Sequence, residues 1–300
     1  MNKEKSTFKQ IPPFLCVGFF CHDVHKSGYI LGGTAAYSSL IASKLIGQPV
    51  SVLTSVGADF LFHEKFETAG ILVCNKLAKK TTIFNNVYQD DHRTQYIYER
   101  SDTLTAEDVP IAWRKAPVVK ICLIANEVDK TLMNSFPDTL IGATIQGWLR
   151  KWDHTGKISP KEMDYQLLDK VDIVLMSEVD ILGMEHILPK LVEAVEIVVM
   201  TKGAAGAVVY YQQETFHFPA FPVKEVDPTG AGDVFAVSFL VKYLETKSIT
   251  LATTYAHAAA SYVIEGFGVK LPNLETIEKR WMAYQDLFPE LFPPKSSAIM

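Results

Sequence analysis

A run of residues, Asp227-Pro228-Thr229-Gly230-Ala231-Gly232-Asp233, sets carboxylates beside glycines and leads directly into VFAVSFLVKYLE. The apolar positions 234, 237, 241 and 244 of that segment recur at helical spacing, and the strand-like FPAFPVKEV precedes the run. Glycines at the head of a helix let a ligand approach the backbone. The free N–H groups of the first turn and the helix dipole then favour a negative group there. Gly230, Ala231 and Gly232 thus form a candidate anion hole for a transferring phosphoryl group. Asp233 shares that turn, where the dipole and nearby amides favour the ionised carboxylate, so it is the candidate base toward a hydroxyl. A glycine-rich turn with an acidic first helical residue would also read GxGD, but the whole run is more specific.

Other residues offer compatible chemistry. Asp23, in GFFCHDV at the end of the first strand-like run, could accept hydrogen bonds from two hydroxyls of a polyol, or simply cap a solvated turn. Gly32-Gly33-Thr34 opens a helical pattern and reads either as a ligand-facing glycine pair or as a plain tight turn. Ser177-Glu178-Val179-Asp180 supplies two carboxylates, Glu178 and Asp180, that could serve Mg²⁺ through water; it is equally a capping arrangement. Gln146 could bond substrate hydroxyls. Arg150 could hold an anionic group, but a surface pair with Asp153 is the preferred reading. His22 and His25 flank Asp23 without a third ligand at helical spacing, and His257 lies on an alanine-rich helix face as a packed residue.

These residues need a scaffold. Short apolar runs at 14–20, 50–56, 118–125, 172–177 and 196–203 alternate with helical patterns, the cadence of an α/β fold with a largely parallel sheet. The stretch 73–98 breaks the rhythm with consecutive strand-like segments, which predicts a small β lid, with part of 20–32 joining it. After Pro228 the chain turns helical at 234–245, 251–266 and 273–284. No linker divides it, so 1–300 reads as a single domain.

The chain has 300 residues, of which 48% are hydrophobic and 21% charged, enough to bury a substantial core. A formal net charge of −5 with no basic block argues against DNA or RNA as partner, leaving a small molecule. No apolar run has membrane length, and Cys16, Cys21, Cys74 and Cys122 form no metal or redox pattern, so the expectation is a cytoplasmic protein with reduced thiols. The GxGxxG of a dinucleotide-binding oxidoreductase and the GxxxxGK[ST] of a Walker A loop are both missing from this sequence.

Residues 227–233 match in full the D-[TP]-[TN]-G-A-G-D signature of the ribokinase/PfkB family of carbohydrate kinases, which the chain resembles from about residue 14 to 285. Val56-Gly57-Ala58-Asp59 resembles that family's VGxD segment. The resemblance implies a three-layer ribokinase-like fold, ATP and Mg²⁺ as cosubstrate and cofactor, a K⁺-like monovalent ion in some members, and homodimers formed through the lid. It implies that Gly32, Gly33 and Thr34 border the acceptor site and that Asp23 grips substrate hydroxyls. Thr201, Gly203, Thr229, Gly230 and Gly232 would lie near the ATP phosphates, with Gly266 and Gly268 closing the adenine pocket. Two departures bear on function. SEVD stands where many relatives carry N-x-x-E, and the run Ile145-Gln146-Gly147-Trp148-Leu149-Arg150 is closer to an inositol-kinase-like branch than to the sugar kinases. The expectation is a kinase for a small polyol or sugar, myo-inositol first. A nucleoside kinase of the same family and a non-catalytic sugar and nucleotide sensor are the alternatives.

Overall fold

The computed structural model describes residues 8–89, 92–266 and 271–292. β1 (Leu15–Gly18) runs through the centre, and the chain then turns outward into a hairpin, β2 (Cys21–His25) and β3 (Gly28–Gly32). It returns as α1 (Thr34–Ile46) and β4 (Ser51–Val56), and after the short α2 (His63–Thr68) adds β5 (Leu72–Leu77). A second hairpin, β6 (Thr82–Gln89) and β7 (His92–Glu99), precedes β8 (Val118–Cys122) and β9 (Leu140–Thr144). A short pair, β10 (Arg150–Trp152) and β11 (Ile158–Pro160), is followed by β12 (Ile173–Ser177), α3 (Leu188–Ala194) and β13 (Ile197–Thr201). β14 (Ala207–Tyr211), β15 (Glu214–Phe218), α4 (Ala231–Thr246), α5 (Ile249–Val263) and α6 (Leu274–Leu287) complete the order.

The main sheet has nine strands in the order β15-β14-β13-β12-β9-β8-β1-β4-β5, parallel from β13 to β5 with β14 and β15 antiparallel at one edge. Both faces are covered, which is why its strands read as continuous apolar runs rather than alternating ones. Phe14, Cys16, Val118, Cys122, Ile173 and Leu175 point into one core with α1, α4 and α5. Their neighbours Leu15, Val17, Val119, Ile121 and Val174 point into the other, with Trp113 and Trp148. The α/β expectation and the small extra sheet are both present.

That small sheet has four strands in the order β3-β2-β6-β7. Its second hairpin begins at Thr82 rather than at residue 73, because Leu72–Leu77 pairs with β4 at the edge of the main sheet. FPAFPVKEV is also not a strand: β15 ends at Phe218, and residues 219–226 form a loop. Pro219 and Pro222 have no N–H to give a ladder, which explains the early stop. Between β9 and β12 the chain forms short 3₁₀ turns around the β10–β11 pair, and between β7 and β8 short 3₁₀ turns, instead of long helices.

Candidate functional site

The carboxyl ends of β1, β8, β9, β12 and β13 lie along one edge of the main sheet, where ligands collect in open α/β folds. β1 passes there into β2, whose third residue is Asp23. α1 starts at the same edge, and its head must come close to the strand it leaves. A side-chain carbon at Gly33, whose φ is 99°, would stand 2.5 Å from the Phe19 carbonyl oxygen, and one at Gly32 would stand 2.6 Å from the Asp23 carboxyl. α4, packed beside α1 on the same face of the main sheet, brings Gly230 as N-cap and Asp233 in its first turn. Between them lies a cavity of about 190 Å³, lined by Asp23, Gly33, Thr34, Gln146, Gly230 and Asp233. The fold therefore gathers in one place residues that span more than two hundred positions of sequence.

Asp233 is not the exposed helix-start residue that the sequence suggests. Its side chain is 15% exposed, and burial pushes its carboxyl above the ordinary range rather than below it, although Lys120 and Ser38 pull it back. Lys120 Nζ lies 3.3 Å from Asp233 Oδ1 and 2.6 Å from Ser38 Oγ, which itself lies 3.3 Å from the same Oδ1. Lys120 is fully buried, at an inward position of central strand β8 between Val118 and Cys122. Its sequence signal was a charge in the middle of the apolar run VVKICLIA. Asp23 is likewise pushed up by burial, against a hydrogen bond from Cys21 and the charge of Arg93.

Gln146 reaches the cavity from the turn after β9 and donates to Asp180 Oδ1 at 2.7 Å. Asp180 Oδ2 accepts the Ser177 N–H at 2.8 Å and closes a capping box, so SEVD is the capping arrangement in this structure. Arg150 corrects the surface reading. It is buried, donates to the Ile124 carbonyl at 3.1 Å and to Gln95 Oε1 at 2.7 Å, and lines the cavity. Asp153 instead holds its own turn through Thr155 and Lys157. The small sheet contributes Asn86, Arg93 and Gln95, which the sequence reading did not single out because strand periodicity alone does not say what a strand faces.

Of the residues expected near a nucleotide, Gly230 lines this cavity, and Thr201, Gly203, Thr229, Gly232 and Gly266 do not. Thr201, the last residue of β13, and Gly203 just beyond it lie on the same edge, with Thr201 Oγ1 3.4 Å from the Met176 carbonyl. Thr229 is held in a turn by its N–H bond to Asp227 Oδ1 at 2.9 Å. Gly232 is exposed, and a side-chain carbon there would meet nothing within 4 Å, so packing does not require its glycine. Gly266 follows α5 in a bend, while Gly268 lies outside the described residues. Among the described residues no cluster of three or more His, Cys, Asp or Glu could hold a metal. Glu178 is exposed beside the occupied Asp180, a donor set that fits an ion carried mostly by water and phosphate oxygens. His257 is packed between helices, in edge contact with Phe235 and stacked on Tyr284. No helix among the described residues is long and apolar enough to cross a membrane.

Comparison with known proteins gives one family match, described as pfkB family carbohydrate kinase, over residues 21–277. A nucleoside kinase of Methanothermobacter thermautotrophicus is 32% identical over 84% of this chain and 84% of its own length. An inositol 3-kinase of Arabidopsis thaliana is 26% identical over 88% of this chain and 77% of its own. Among solved structures, a pyrophosphate-dependent kinase in the ribokinase family, complexed with a pyrophosphate analog and myo-inositol, superposes with a TM-score of 0.73. That match has 19% identity and covers 88% of this chain and 99% of the other, which establishes a shared ribokinase fold.

Proposed function

The chain belongs to the pfkB family of carbohydrate kinases and is a phosphotransferase, and from that membership we propose that it moves the γ-phosphoryl group of ATP onto a hydroxyl of a small cyclic polyol, myo-inositol first. The observation that carries this reading is the single cavity in which Asp23 and Gln146, both able to bond hydroxyls, stand with Asp233 at the head of α4. The inositol 3-kinase relatives support the same acceptor.

In this reading Asp233 takes the proton of the acceptor hydroxyl. The hydroxyl oxygen forms a bond to the γ-phosphorus, the bond from that phosphorus to the β,γ-bridging oxygen breaks, and ADP leaves with the bridging electrons. Amides of Gly230 and Gly232 face the developing charge, while the Ala231 N–H, also expected there, donates to the Pro228 carbonyl at 3.1 Å; Thr201, Gly203 and Thr229 adjoin the donor phosphates. Gly32, Gly33 and Thr34 border the acceptor, and Gly266 adjoins the adenine. Mg²⁺, with Glu178 as the carboxylate to hold it through water, would neutralise the β- and γ-phosphate charge when bound. The small sheet serves as a lid that excludes water from the acceptor.

A second acceptor class is favoured by Arg93 and Arg150, guanidinium groups that line the same cavity and would recognise a sugar carrying a carboxylate or phosphate. An ADP-release screen with myo-inositol, ribose, fructose, nucleosides, sugar acids and sugar phosphates, repeated with pyrophosphate as donor and orthophosphate release as the readout, separates these readings. Fastest turnover of myo-inositol is the expected result. Tenfold preference for an anionic sugar moves the assignment to the arginine reading, and preference for a nucleoside overturns both. No turnover of any acceptor by folded protein leaves the non-catalytic sensor.

A further inference from the structure

Lys120 is an unusual residue for its place. A lysine at an inward position of a central, doubly covered strand gives up its hydration on all sides, a cost that runs to several kcal/mol unless partners repay it. A valine at that position would fit the strand and the core without any partner. The partners that Lys120 has are Ser38 at 2.6 Å, Asp233 Oδ1 at 3.3 Å and the Cys122 sulfur at 3.7 Å. It therefore reaches from β8 to the underside of the α4 first turn, while the cavity lies on the other side of Asp233.

We propose that Lys120 is a positioning residue for the phosphotransfer: its ammonium, with Ser38, fixes Asp233 Oδ1 from beneath and supplies the counter-charge that keeps the carboxylate ready, leaving Oδ2 to take the acceptor proton. This rests on the reading that Asp233 is the base. The contacts of Lys120 and Ser38 with that carboxylate both fall on Oδ1, which defines one oxygen as anchor and the other as acceptor. A buried carboxylate without a nearby cation would hold its proton and could not serve as base near neutral pH. The other titratable groups facing the pair are Cys122 on β8, Cys16 on β1 and Tyr37 on α1. Burial pushes the Cys16 and Tyr37 groups up, so both stay neutral at neutral pH. Lys120 itself is held above its ordinary range, because Cys122 and Asp233 outweigh the effect of its burial, so it stays charged.

The test is the pH dependence of kcat for Lys120→Met with ATP and the fastest acceptor of the screen, beside wild type and Asp233→Asn. Loss of the ammonium should move the acid limb of the profile up by about one pH unit or more, a tenfold or greater rise in proton affinity of the base. Turnover should recover toward the wild-type rate on the alkaline side. A rate lowered by one factor at every pH, with the limb in place, would show that Lys120 only packs. Should Lys120→Met fail to fold, melts of Lys120→Met/Asp233→Asn decide: a double variant that folds shows that the uncompensated Asp233 charge was the defect, and one that stays unfolded overturns the proposal. Asp233→Asn distinguishes the two levels. Near-wild-type turnover there removes Asp233 as base, whereas its loss together with an unmoved limb in Lys120→Met sinks only the role of Lys120.

Discussion

Asp233 meets two demands with one carboxylate, because Oδ1 answers a buried ammonium while the rest of the group faces the cavity. Asp233→Asn keeps the shape but removes both the proton acceptor and the counter-charge. The expected result is a fall in kcat of about a hundredfold or more, with ATP affinity nearly retained. Stability should fall as well, by about 3 kcal/mol in a denaturant melt, because Lys120 is left charged and unpaired in the core. An exposed helix-start aspartate would cost at most about 1 kcal/mol, so the melt alone separates the two environments. The seven-residue run was legible because its chemistry is contiguous. Lys120 was not, since its partner lies 113 residues away and only the pairing of β8 under α4 brings them together.

At the scale of elements, α5 carries a histidine into the layer between α4 and α6. His257 is buried against Phe235 and Tyr284, and burial lowers it from 6.5 to about 4. The unfolded chain therefore takes up this proton before the folded one. The contribution is fully present above about pH 6.5 and is lost as pH falls toward 4, by up to about 3 kcal/mol. Glu127 acts in the opposite sense. It is buried, accepts the N–H groups of Ile124 and Ala125, and burial raises it to about 7, so its contribution is present at low pH and lost as pH rises through 7. The two offset each other across much of the same window. His257→Phe should therefore gain on wild type as pH falls from about 7 to 4, read as the difference between their urea midpoints at each pH. A difference that stays constant with pH would mean that His257 binds its proton equally well in the folded and unfolded chains. The amphipathic and apolar periodicity of α4, α5 and α6 was legible, and so was the packed role of His257. The size of the pH effect depends on how many neighbours close over the ring, which one helix's pattern does not contain.

At the scale of the molecule, the acceptor cavity has a floor from the main sheet and a wall from the small one, and its shape depends on how the two are joined. The sequence showed that a small sheet interrupts the α/β rhythm, but not what holds it. The join is made by β10 and β11, whose short length and mixed polarity gave no strand signal. Ile97 of β7 donates to the Gly156 carbonyl at 2.9 Å, and Arg150 of β10 bonds Gln95 of the same strand. Gly156 has φ 84°, and a side-chain carbon there would stand 2.2 Å from the Ile97 carbonyl oxygen. Gly156→Ala must therefore either strain its backbone, at about 1–2 kcal/mol, or push the hairpin away from β7. Neither change touches the ladders of the main sheet, so the protein should still fold cooperatively with a modestly lower melting temperature. The cost falls on the wall of the cavity. If the small sheet is held in place by this hairpin, the acceptor KM should rise by about tenfold, the equivalent of 1.4 kcal/mol, while KM for ATP changes little. The measurement is steady-state kinetics with each substrate varied in turn, alongside a thermal melt. An unchanged acceptor KM in a variant whose melt shows the expected strain would mean that the small sheet is positioned through β2 and β3 alone.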